Sequence, residues 1–127
     1  VQFLFLLYSF LFLWYNVGDM MDYQKLGYAV VDWLSDHWDL HPEVVFHPVP
    51  YEKIKCCGIS YAHDYELDVY VIEVALGQTL RDFIATVVHE MVHVKQWVTN
   101  RWWGDGEREA RRLQYKLTDK FWKEGLL

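Results

Sequence analysis

The chain has 127 residues, 53% of them hydrophobic and 18% aromatic, with a formal net charge of −6 at pH 7. That length supports one domain with a modest core, and the apolar content excludes a disordered chain. The acidic balance excludes a nucleic-acid-binding surface, because the one basic cluster, Arg101 to Arg112, is interleaved with Asp105, Glu107 and Glu109.

Phe3 to Tyr15 is almost unbroken apolar sequence. It is shorter than a membrane span of about 20 residues, and no Lys or Arg precedes it as in a signal peptide. It reads as a hydrophobic anchor, a buried first element or an upstream-start artefact. The artefact is preferred, because Met20 and Met21 stand just before Asp22-Tyr23-Gln24-Lys25, where amphipathic sequence begins. Residues 1–19 are therefore set apart from a single domain over 20–127. Membrane association is expected only if residues 3–15 act as an anchor, and the expected location is otherwise cytoplasmic.

From Met20 to Trp38 apolar residues recur at Leu26, Val30, Trp33, Leu34 and Trp38, the period of a helix packed on one side. Asp19 is the expected N-cap, and His41-Pro42 the stop. Val44-Val45-Phe46, bounded by prolines, predicts a short edge strand. Cys56 and Cys57 are adjacent, a placement that rarely meets disulfide geometry, and no further Cys or His follows at zinc-ribbon spacing. Gly58 to His63 and Leu67 to Val74 predict two more strands, joined tightly through Asp64-Tyr65-Glu66. His47 and His63, at strand ends, read as surface or turn histidines.

After Gly77-Gln78, Thr79-Leu80-Arg81-Asp82 is a capping-box pattern that opens a helix running to about Asn100. A loop, Arg101 to Gly106, follows. Asp105 is placed to cap a closing helix whose Ala110, Leu113, Leu117 and Phe121 share one face, with Gly125 as its stop. The expected fold is α+β: an N-terminal helix, a small three-stranded sheet, a long helix and a closing helix.

The long helix carries the chemistry. Phe83, Ile84, Val87, Val88, Met91, Val92, Val94 and Val98 fill a broad apolar arc. Asp82, Thr86, His89, Glu90, His93, Gln96 and Asn100 form one polar stripe, as on the floor of a cleft. Within it, His89-Glu90-Met91-Val92-His93 is an H-E-x-x-H motif. His89 and His93 lie about 40° apart and roughly 6 Å along the axis, so both imidazoles can reach one metal ion. Glu90 lies further round, near enough to reach a water on that ion, where a general base belongs.

This motif, with Glu107-Arg108-Glu109-Ala110 beyond the loop, resembles the zincin metallopeptidases, and more narrowly the small SprT-like or gluzincin-like proteins of phage and bacterial genomes. The resemblance covers roughly Leu67 to Leu117, and only the first motif is highly specific. It implies a zincin-like fold, zinc held by His89 and His93, water activated by Glu90, and a third ligand from the closing helix. Glu107 and Glu109 compete for that place. They point about 160° apart on the helix, so one metal takes only one, and the apolar face favours neither. The family pattern, in which the ligand generally stands three residues before the alanine, favours Glu107.

The departures are informative. No histidine follows His93, and Gln96 and Thr99 stand where metzincins place glycine and histidine. Arg111 follows Glu107 at the spacing where gluzincins often place an Asp that orients a histidine, so that support must come from elsewhere. Tyr115, Arg111 and Arg112 are candidates for oxyanion stabilisation by proximity alone. The resemblance further implies that the strand Leu67 to Val74 lies along the cleft, with an open edge to which an extended peptide could add. The expected function is zinc-dependent hydrolysis of peptide bonds in a peptide or protein substrate. The alternatives are a zinc hydrolase of another amide or ester, and a zinc-stabilised binding module that holds a partner through Trp102 and Trp103. The intact Glu90 argues against the last, since a binding module needs no general base.

Overall fold

The computed structural model describes residues 21–124, which form four helices and one three-stranded mixed sheet, an α+β architecture. The apolar segment 3–15 and Gly125 lie outside the described residues. Among the described residues no helix is long and apolar enough to cross a membrane.

Helix α1 (Tyr23–Trp38) is capped by Asp22, whose carboxylate accepts the Lys25 N–H at 2.9 Å. The cap expected at Asp19 therefore moves three residues along the chain. Periodicity locates a helix but not its first turn; the side chain that reaches a free N–H decides that. Gly27 lies against the Phe46 ring, which occupies the space a Cβ would need, so α1 rests directly on the first strand.

Strand β1 (Glu43–Val49) leads into a single turn of helix, α2 (Tyr51–Ile54), which Lys55 closes in the left-handed conformation at φ 55°. The sequence expectation lacks this turn, because four residues are too few to show a period. Strands β2 (Gly58–Ala62) and β3 (Val69–Ala75) complete the sheet in the order β1-β3-β2, with β1 parallel and β2 antiparallel to β3.

The strand expected to offer an open edge to the cleft is thus the central one, paired along both sides. Among the described residues the strand edge on the cleft side belongs to β2. The composition of β3 fits its place: Val69, Val71, Ile72, Val74 and Ala75 are all buried, as a strand covered on both faces requires. Its start falls at Val69 because Asp68 takes a left-handed conformation, φ 62°. β3 also buries Glu73, whose carboxylate meets Lys53 Nζ of α2 at 2.7 Å. That contact raises the Lys53 pKa above its ordinary value.

Helices α3 (Leu80–Thr99) and α4 (Glu107–Glu124) follow. Phe46, Ile72 and Val74 from the sheet meet Leu26, Val30 and Leu34 of α1 and Phe83, Ile84, Val87, Val88 and Met91 of α3 in one core. Ala110, Leu117, Phe121 and Trp122 bring α4 into the same core. The polar stripe of α3 is thereby left facing a cleft between β2 and α4.

Candidate active site

Thr79 caps α3 by accepting the Asp82 N–H at 3.1 Å. The expected capping box is only half made, because the Asp82 carboxylate turns away to accept the Tyr115 hydroxyl of α4 at 2.7 Å. One turn on, Thr86 bonds Gln78 at 3.0 Å, and Gln78 donates in turn to the Ala75 carbonyl at 2.9 Å. These residues line one end of a cleft of about 670 Å³ that runs past His89, Glu90 and His93 to Trp97.

At its centre, the Nε2 atoms of both histidines point at one carboxylate of α4. His93 Nε2 lies 2.7 Å from Glu107 Oε1, and His89 Nε2 lies 3.0 Å from Glu107 Oε2. One ligand atom from each of the three residues falls within 4.8 Å of the others. Glu109 does not join them: its carboxylate accepts from Gln96 Nε2 at 3.0 Å.

The opposite edge of each imidazole is held by a glutamine oxygen, Gln114 Oε1 at 2.7 Å from His89 Nδ1 and Gln96 Oε1 at 3.0 Å from His93 Nδ1. The Gln96 amide has one orientation only, because its Nε2 donates to both the Gly106 carbonyl and Glu109, each at 3.0 Å. Its oxygen therefore faces His93, whose Nδ1 must carry the proton. In the neutral ring Nε2 is then a lone pair aimed at a carboxylate oxygen. Two such electron-pair donors facing one another are an arrangement that a shared metal ion would satisfy. The donor set of two imidazole nitrogens and one carboxylate oxygen is one that zinc takes, with the outer hydrogen bonds that metal-ligating histidines use. The residues fit such an ion.

Gly106 is part of this arrangement. It has φ +79°, and the Gln96 side chain fills the space a Cβ would need. Gly106→Ala should lose about 1–3 kcal/mol of stability through backbone strain and, if the two histidines hold a metal ion, also weaken its binding by displacing Gln96. Gly104→Ala, at φ +59° with nothing within 4 Å, shares the strain without the collision. Urea unfolding and zinc titration of the two variants should show that only the first loses metal affinity.

Glu90 is 7% exposed and lies under β2, where Ser60 Oγ donates to its Oε1 at 2.7 Å. Burial pushes the Glu90 carboxyl above its ordinary value; the Ser60 hydrogen bond and the two histidines pull it back, and Glu107 adds to the rise. A strand can lie this close to a helix only with small residues on the facing side. A Cβ on Gly58 would come within 2.5 Å of the Thr86 methyl and 3.4 Å of Glu90 Cγ. Gly58, Ser60 and Ala62 alternate along β2; that pattern was the available signal for Ser60, which sequence reasoning passed over along with Gln114.

The three oxyanion candidates separate. Tyr115 lines the cleft, but its hydroxyl is committed to Asp82, which raises its pKa with help from burial, and the Arg81 guanidinium lies 4.4 Å from its ring centroid. Arg111 and Arg112 are exposed, and Arg111 Nε comes no nearer to Glu107 than 3.8 Å. His63 is a turn residue whose Nδ1 accepts the N–H groups of Tyr65 and Glu66, both at 3.2 Å. Cys56 and Cys57 are free thiols. Trp102 and Trp103 are exposed, the latter at 94%. No protein-family description, curated protein or solved structure matches this chain in the three comparisons made.

Proposed function

We propose that the chain is a zinc-dependent peptidase of zincin-like type, with His89, His93 and Glu107 as metal ligands and Glu90 as general base. The observation that carries this reading is the convergence of two imidazole Nε2 atoms on one carboxylate, each ring held from behind by a glutamine oxygen. Bound zinc would polarise the scissile carbonyl and make water more acidic.

The chain's own residues supply the rest. Glu90 stands beside both histidines on the cleft floor, where it can take a proton from the attacking water and return it to the departing amine as the C–N bond breaks. Ser60 holds one carboxylate oxygen, so the base is oriented before substrate arrives. The outer edge of β2 borders the cleft along Gly58, Ile59 and Ser60. An extended peptide can add there as a further strand. A cleft bordered by a strand edge suits an extended polymer better than a small amide or ester.

The test is digestion of an unbiased peptide library by zinc-loaded, chelated and zinc-restored protein. Cleavage that is lost on chelation and regained with zinc is the expected result. No cleavage in any state would overturn the peptidase reading.

A further inference from the structure

We propose that Asp82 is a specificity-determining residue that selects a lysine or arginine immediately C-terminal to the cleaved bond. This rests on the peptidase reading above and adds a substrate class to it. Asp82 shares the polar stripe with Thr86 and His89 and stands seven residues before His89, about 10 Å along the helix axis. A long cationic side chain spans most of that distance.

The carboxylate is aimed at the cleft. It forgoes the reciprocal half of its capping box and accepts from Tyr115, which lines the same space. Among the described residues its second oxygen takes no hydrogen bond. The neighbouring Arg81 forms a two-pronged pair with Asp119, at 3.2 and 3.1 Å, and packs over the Tyr115 ring. Among the described residues no Lys or Arg lines the cleft. Glu90 and Glu107 are engaged at the metal centre, and Asp105 caps α4 next to Gly106, which bonds Gln96; among the described residues Asp82 is the acid that lines the cleft on the Thr86 side.

Strand direction decides which side of the bond is read. Gly58, at the start of β2, lies against Thr86 and Glu90. Ala62, at its end, pairs with Tyr70, which stacks on Trp97. The strand therefore runs the same way as α3. A peptide that adds to β2 in the antiparallel sense, the more stable pairing, places its C-terminal half toward Thr86 and Asp82.

The experiment measures kcat/KM for peptides identical except for lysine, norleucine or glutamate after the cleaved bond, using zinc-loaded wild type, Asp82→Asn and Asp82→Lys. Wild type should prefer lysine to norleucine by about tenfold, the scale of one well-placed charge pair, and the preference should shrink as salt is raised. Asp82→Asn should lose the preference with zinc content unchanged, and Asp82→Lys should favour glutamate. The same lysine preference in Asp82→Asn, or indifference in wild type, overturns the inference and leaves the peptidase reading standing. The wild-type comparison holds even if a variant fails to fold. Absence of cleavage of every peptide overturns the peptidase reading, and the inference with it.

Discussion

Glu90→Gln is expected to lower peptide turnover by at least about a hundredfold, the usual scale for a lost acid–base group, with zinc content unchanged. Glutamine keeps the shape and can still accept from Ser60, but it cannot take a proton. The carboxylate sits beside the His89, His93 and Glu107 group and not within it, so on the proposed assignment its loss should not loosen the metal. A second readout follows from its burial. Because desolvation raises its folded pKa above 4.5, the folded protein holds that proton more tightly than the unfolded chain. The stability this gives is present below the ordinary carboxylate pKa and is lost as pH rises through the raised value. Metal-free Glu90→Gln should therefore melt above metal-free wild type at neutral pH, and the gap should close on acidification. Unchanged cleavage would reject the general-base role, and a lower melting temperature at neutral pH would contradict the buried charge.

Glu107→Ala and Glu109→Ala should differ widely in zinc affinity. Glu107 spans both imidazoles with its two oxygens, whereas Glu109 reaches the site only through Gln96 and His93. Removing a group in that outer position should cost about tenfold, at the lower end of what such partners contribute. Removing Glu107 should cost well over a hundredfold, since one of three protein ligands is lost. Competition titration against a chromophoric chelator measures both, and a larger loss in Glu109→Ala would overturn the ligand assignment.

Much of the frame was legible from local chemistry. Thr79 and the apolar arc from Phe83 to Val98 locate α3, because capping and period are properties of neighbouring residues. Helical spacing alone puts His89 and His93 on one face. What the sequence left open depends on how separate elements meet. The choice between Glu107 and Glu109 turns on the rotation of α4 about its axis, and Gln114 reaches His89 from a helix 25 residues on. Nothing in the spacing of either segment encodes that contact. The place of β3 in the sheet was also hidden, since strand propensity does not reveal strand order. The Asp82 capping-box pattern is local in sequence, but a hydroxyl 33 residues away takes half of it.

The most direct measurement is the zinc content of purified protein by elemental analysis, for wild type and for the His89→Ala/His93→Ala double variant. One zinc per chain in wild type and close to none in the double variant is the predicted result. Full occupancy in the double variant, or none in wild type prepared with zinc, would contradict the metal centre.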